Sequence, residues 1–195
     1  MGVATFVELI TAAVLLLCCD GYFRGGELAL VRRDNIAFPC SRSKRSNFII
    51  TIGAVGDKPA ENLDVDRSVI CGIHGRVYIT RILTLLCRNL QGRDLLLRGV
   101  PFAKMRVALN TAITTLGLGH LDFNMHTSRH VGPSNDNYYH QFPLLDRQQR
   151  GRWRAPQSVL RYGKSAALRR QLARSTEKQV LDSERAKHTS IQPFV

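Results

Sequence analysis

The chain has 195 residues, 44% hydrophobic and 22% charged, the ordinary balance of a globular protein with one sizeable core. Its charge is less ordinary: 28 Lys and Arg against 15 Asp and Glu give a formal +13, a surface that attracts polyanions, nucleic acid above all, unless it serves only against aggregation. Five cysteines, Cys18, Cys19, Cys40, Cys71 and Cys87, form no metal-ligand spacing and leave an odd count, which argues for reduced, mostly buried thiols in an intracellular protein and against a disulfide framework.

Residues 4–19 are largely apolar. The run lacks a positive leading region, contains Glu8 and is shorter than the roughly 20 residues of a span, so a buried helix is expected and no membrane segment. It should end at Asp20-Gly21, with Gly21 as a left-handed cap. Phe23 to Arg33 reads as a second helix, with Arg24 and Glu27 on one face of its first turn. An exposed, weak ion pair is the plainer reading of those two residues. Phe48 to Ile52 is β-branched and reads as a strand, as does the alternation from Leu63 to Cys71. Lys44 and Arg45 lie in a basic loop before the first strand, placed to touch phosphate. Lys58 falls at or near the hairpin tip between the strands, where a solvated turn lysine is equally natural.

Gly75 to Asn89 and Phe102 to Leu116 read as helices, the second opened by Pro101 and closed by Gly117. Asn124 is positioned to cap a helix carrying His126, Arg129 and His130. His126 and His130 stand four apart, but no carboxylate or cysteine completes a metal set, so no metal or other cofactor is expected. Gly132 onward reads as polar and irregular, up to a short helix over Leu144 to Arg150. Arg147, Arg150, Arg152 and Arg154 then surround the lone Trp153, a pattern suited to a nucleic-acid backbone, although a single Trp is most often core. Pro156 opens a helix that brings Tyr162 toward its end, and Ser165 to Ala186 reads as one polar helix, docked on a second subunit or simply solvated.

One chemistry uses these groups together. A tyrosine that cleaves a phosphodiester loses its proton, attacks phosphorus and forms a covalent intermediate. Charge builds on the non-bridging oxygens, which paired arginines and further His or Trp donors can hold. The leaving 5′ oxygen takes a proton, which a lysine can supply. The chain offers Arg24, Lys58, His126, Arg129, Trp153 and Tyr162 in that order.

That order resembles the tyrosine recombinases, the phage-integrase family. The matching segments are an apolar helix followed by Arg24-Gly25-Gly26-Glu27-Leu28, then His126-Thr127-Ser128-Arg129, then Trp153 nine residues before Tyr162. The stretch from Arg150 to Lys164 is similar to recombinase-like sequences of eukaryotic retroelements. The resemblance implies an α+β, mostly helical catalytic core with a small antiparallel sheet, spanning residues 1–175, with a C-terminal helix end and tail over 176–195. It implies site-specific cleavage and rejoining of double-stranded DNA through a 3′-phosphotyrosyl intermediate. By it, Tyr162 is the nucleophile. Arg24, Arg129, His126 and Trp153 bind the scissile phosphate, Lys58 (with Lys44 as fallback) is the general acid, and Glu27 supports the site. Lys44, Arg45, Arg152 and Arg154 are the expected further DNA contacts. The C-terminal helix would pass to a neighbouring protomer, giving a homo-oligomer on DNA, in the nucleus if the source is eukaryotic and otherwise in the cytoplasm or nucleoid. Two features depart from the family pattern: the N-terminal helical domain that clamps DNA from the other side is absent, and Gly25-Gly26 softens the helix carrying Arg24, at about 1 kcal/mol per glycine. They keep open a catalytically inactive DNA-binding remnant of a mobile element. A third reading, a basic helical interaction protein with RNA among its candidate partners, expects the same residues scattered over the surface.

Overall fold

The computed structural model describes residues 5–39, 47–53, 67–73 and 76–188. It is mostly helical, with one three-stranded antiparallel sheet. Helix α1 (Phe6–Asp20) is the spine. Thr5 and Glu8 close its N-terminus reciprocally, Glu8 N–H donating to Thr5 Oγ1 at 3.3 Å, so the one charge in the apolar run is a cap. Leu9, Ile10, Ala13, Val14 and Leu17 are all buried. The left-handed residue after α1 is Tyr22 (φ 53°), not Gly21 (φ −100°). Gly21 is needed for space instead, since a Cβ there would stand 2.1 Å from the Phe23 ring.

Helix α2 (Gly25–Leu30) is shorter than the expected Phe23 to Arg33. Arg24 is its N-cap residue rather than part of its first turn, because the Glu27 carboxylate accepts the Arg24 N–H at 2.7 Å. Beyond Leu30 the chain is drawn extended against residues 94–96: Leu96 N–H donates to Val31 O at 2.8 Å and Arg33 N–H to Asp94 O at 2.9 Å. Strands β1 (Ile36–Ala37), β2 (Phe48–Thr51) and β3 (Ser68–Cys71) follow in sheet order β1-β2-β3, with Ile36 opposite Ile50 and Ile50 opposite Val69. Their alternation turns Ile36, Phe48, Ile50, Val69 and Cys71 into the core and Ile49 and Ile70 outward. The expected hairpin tip with Lys58, and the basic loop with Lys44 and Arg45, lie outside the described residues.

Helices α3 (Val77–Cys87) and α4 (Phe102–Thr115) both pack on α1. Helix α5 (Thr127–Tyr138) continues straight through Gly132 and Pro133, where an irregular stretch was expected. It crosses α1 closely: a Cβ on Gly132 would stand 2.0 Å from Cys19 O. Asn124 is the cap, its Oδ1 accepting from the N–H groups of His126 and Thr127 at 2.9 and 3.0 Å. Helices α6 (Leu144–Gly151) and α7 (Pro156–Tyr162) pack together, and α7 also packs on α5. The expected single C-terminal helix is two, α8 (Ser165–Leu172) and α9 (Glu177–His188). Thr176 and Gln179 cap the second reciprocally, Thr176 N–H donating to Gln179 Oε1 at 2.9 Å. Among the described residues no helix is long and apolar enough to cross a membrane.

Candidate active site

Tyr162 ends α7 with its ring in an aromatic column. Trp153 stacks on one side, centroids 4.8 Å apart, and His130 on the other at 4.4 Å. Behind Trp153 lies Tyr22, stacked at 5.7 Å. The backbone end of α7 is tied to α5 through Ser134. Its hydroxyl accepts from Lys164 N–H at 2.8 Å and lies 2.8 Å from the His130 carbonyl and 3.0 Å from that of Tyr162. One proton serves those two carbonyls, so the third contact is an alternate. Ser165 adds a bond to Ser134 O at 3.1 Å.

Arg129 is 1% exposed, and its Cζ lies 5.5 Å from the ring centroids of both Tyr162 and Trp153. Its Nη2 donates to Gly151 O at 3.3 Å and its Nη1 faces Glu27 Oε2 at 3.6 Å. Among the described residues neither Nε nor Nη1 finds a hydrogen-bond partner, nor do the buried His130 Nδ1 and Trp153 Nε1. A buried polar atom left so costs about 1–3 kcal/mol, which marks the four as groups built to meet something else. Burial pushes the Arg129 guanidinium below the usual arginine range; Arg24 adds to this and Glu27 opposes it.

Glu27 is the hub of the basic side. It pairs with Arg24 at 3.1 Å and with Arg152 at 2.9 Å as well as facing Arg129. Three guanidiniums share one carboxylate, so the site keeps a positive charge in partly desolvated surroundings, where it acts more strongly than in water. Arg24 is the outward member, with its side chain 61% exposed. Arg152, expected on DNA, turns inward: beside Glu27 it donates to the carbonyls of Arg150 at 3.0 Å and of Gly21 and Tyr22 at 3.4 Å. Its own left-handed backbone (φ 54°), as the cap of α6, aims it there. Arg154 is exposed, as expected of a contact residue.

A cavity of about 390 Å³ opens beside the column, lined by Arg24, His130, Trp153, Arg161, Tyr162 and Lys164. No described residue hydrogen-bonds the Tyr162 phenol, which is half-buried at this cavity. His126 sits further out, exposed, its ring 6.3 Å from Tyr162 and edge-on to His130 at 4.9 Å. Thus Arg24, Glu27, Arg129, Trp153 and Tyr162 converge, His126 stands at the margin and His130 takes the inner position. Burial, together with His126, Lys164 and Arg129, holds His130 below the usual histidine value. No family model, no curated protein and no solved structure matches this chain.

Beneath the site lies a buried ionic cluster invisible to spacing arguments. Arg76 joins Asp20, at 2.9 Å, to Asp136, whose other oxygen accepts the Tyr22 hydroxyl. Arg150 approaches Asp20 Oδ2 at 3.5 Å and donates to Asp20 O at 2.8 Å. Burial works against the Arg76 charge, but Asp136 and Asp20 outweigh it and raise the group above the arginine range. The cluster locks α1, α3, α5 and α6 under the aromatic column. Cys18, Cys71 and Cys87 are buried and Cys19 half-buried, all unpaired. Burial pushes Cys18 up to about 12 and Cys19 and Cys87 to about 11, so these thiols stay protonated and inert. Among the described residues no group of three or more His, Cys, Asp or Glu is arranged to hold a metal ion.

Proposed function

We propose that the chain is a DNA strand-cleaving and rejoining domain of the tyrosine recombinase type, with Tyr162 as nucleophile. The observation that carries this reading is the buried Arg129, its Nε and Nη1 making no hydrogen bond to a described residue and its Nη1 facing Glu27 at 3.6 Å, lying 5.5 Å over the ring of a tyrosine that opens onto a cavity shared with Arg24. A phosphodiester seated there meets Arg129 and Arg24 through its non-bridging oxygens and the Trp153 Nε1 as a further donor. The Tyr162 oxygen attacks phosphorus, the bond to the 5′ oxygen breaks, and the protein is left joined to the 3′ phosphate. The phenolic proton passes to water in the open cavity, and the leaving oxygen gains one from the general acid, which we assign to Lys58. Attack of a 5′ hydroxyl on the phosphotyrosine reverses the step and reseals the strand. Glu27 positions the three arginines and touches no substrate.

The charge of +13 supplies the attraction to double-stranded DNA. Residues 1–175 form the catalytic unit in this reading, and α9 meets a second protomer on DNA. The test is covalent trapping. Wild type and Tyr162→Phe are incubated with a pool of nicked duplexes that lose a short fragment on cleavage. A denaturation-resistant adduct with wild type alone is expected; an adduct with both, or with neither while salt-sensitive binding persists, would remove Tyr162 from the chemistry.

A further inference from the structure

A second cavity, about 520 Å³, adjoins the first and shares Arg24, Trp153 and Ser158 with it. Its own cations are Arg67, Arg152 and Arg154, of which Arg152 is paired with Glu27 at 2.9 Å. Glu27 also lines it, but that carboxylate is already divided among Arg24, Arg129 and Arg152. Neither Arg67 nor Arg154 has an acidic partner among the described residues.

The Arg67 side of this cavity is built rather than incidental. Gly53 lies across from it with φ +108°, a conformation that disfavours any side chain, and a Cβ there would stand 3.1 Å from Arg67 Nη1. Asn35, buried, holds Gly53 in place by donating from Nδ2 to its carbonyl at 2.8 Å. Ile52 N–H donates to Arg67 O at 3.1 Å, which fixes the base of the arginine to the sheet end. Opposite, Gln148 donates to the carbonyls of Trp153 and Arg154 at 3.1 and 3.2 Å and sets the bend between α6 and α7 that carries Arg154. Two guanidiniums on separately braced backbones thus face one space, with the Ser158 hydroxyl between the two cavities.

We infer that this cavity is a second phosphate subsite, in which Arg67 and Arg154 grip the DNA phosphodiester next to the one that Tyr162 attacks. The inference rests on the proposed recombinase reading for its register, and on the cavity itself for its ligand chemistry. A duplex strand presents a phosphate every ~3.4 Å of axial rise, so a strand seated in the first cavity runs straight into its neighbour. Arginine forks suit phosphate oxygens, and neither Arg67 nor Arg154 is spent on an acidic partner among the described residues.

The test compares wild type, Arg67→Ala/Arg154→Ala and, as a control lining a different cavity, Arg88→Ala. Duplex binding is measured by fluorescence anisotropy across a salt series. Circular dichroism checks that each variant is folded. The double variant should lower the slope of log K against log salt by about one, the value for one phosphate contact, and Arg88→Ala should not. An unchanged slope overturns the subsite, whether or not wild type forms its adduct. A lowered slope without any adduct keeps the phosphate grip and removes Tyr162 as nucleophile. Where the adduct forms, neutral methylphosphonate is placed beside the cleaved position of the trapped duplex. It should weaken wild type about tenfold and leave the double variant unmoved; equal weakening of both overturns the assignment to the neighbouring phosphate.

Discussion

Two tyrosines share one aromatic column, and their surroundings assign them opposite work. Tyr22 is fully buried and its hydroxyl donates to Asp136; burial, and then that carboxylate, raise its phenol far above the tyrosine range. It cannot present an oxygen to a substrate. Tyr162 is half-buried at an open cavity beneath Arg129. Tyr22→Phe should therefore keep adduct formation while lowering stability by about 1–3 kcal/mol, because Asp136 loses a donor inside the core. Tyr162→Phe should do the reverse, abolishing the adduct and leaving urea unfolding within about 0.5 kcal/mol of wild type. His130 carries a second prediction at this scale. Its lowered folded value means that the native state binds fewer protons there than the unfolded chain, for pH between that value and the ordinary one near 6.5. The contribution is fully present above about 6.5 and is lost as pH falls through the window. Urea unfolding from about pH 8 to about pH 5 should show wild type losing stability on acidification more steeply than His130→Gln. Equal slopes would mean that the histidine titrates alike in both states. Sequence reasoning reached His130 only as half of a metal pair, since its stacking on Tyr162 depends on how α5 meets α7.

Helix α5 shows what the sequence could and could not reveal. Capping and apolar period made α1, α3, α4, α6 and α7 legible, and β-branched alternation did the same for β2 and β3. The buried residues of α5 are Ser128, Arg129, Gly132, Pro133, Ser134 and Asp136. A helix whose inner face is polar and small has no apolar stripe to read, and Gly-Pro inside it argues for a loop. The division between α8 and α9 was visible as Thr176-x-x-Gln179, a capping box inside a polar stretch where hydropathy gives no boundary. For the site, the resemblance to the recombinases named Arg24, Arg129, Trp153 and Tyr162, which the fold brings together, as well as His126, which stands at the margin, and Lys58, which lies outside the described residues, while the cluster of Asp20, Arg76, Asp136 and Arg150 needed the fold. The small face of α5 has a measurable purpose. Gly132→Ala puts a methyl 2.0 Å from the backbone Cys19 O and 2.8 Å from the Tyr22 ring, and the helix backbone cannot yield on its own. It should cost about 3 kcal/mol or more and displace Arg129 with the helix, so that adduct formation falls too. Gly26, with nothing within 4 Å of an added Cβ, is the contrast. Gly26→Ala should stabilise by about 0.5–1 kcal/mol, removing the softness that a Gly25-Gly26 pair brings to α2. Thermal unfolding of the two variants checks both signs.

At the scale of the whole molecule, the chain divides by how firmly each part is held. The body from α1 to α7 is closed by a main apolar core, by the smaller cluster of Tyr22, Trp153 and Val159 at the site, and by the ionic cluster beneath it. Helix α8 is still pinned to it, through Asn137 to Ser165 at 3.0 Å and Gln171 to Leu121 O at 3.0 Å. Helix α9 reaches back at its first turn, where Gln179 donates to the carbonyls of Leu116 and Gly117 at 3.3 and 3.1 Å. Beyond that turn Val180 and Leu181 are 48% and 50% exposed. Two adjacent apolar side chains half in water on a helix with polar neighbours lie outside the buried core and are the apolar surface that the proposed exchange of α9 would use. If α9 is the element exchanged between protomers on DNA, Val180→Glu/Leu181→Glu should leave monomer unfolding within about 0.5 kcal/mol, since surface changes away from packed features are small. The same pair should abolish assembly of more than one copy on a duplex. Sedimentation of the protein with and without DNA separates the effects: a lost multimer with an intact monomer places the contact in α9. An unchanged multimer would move it to the other exposed apolar surface near the end of the chain, Leu172 on α8.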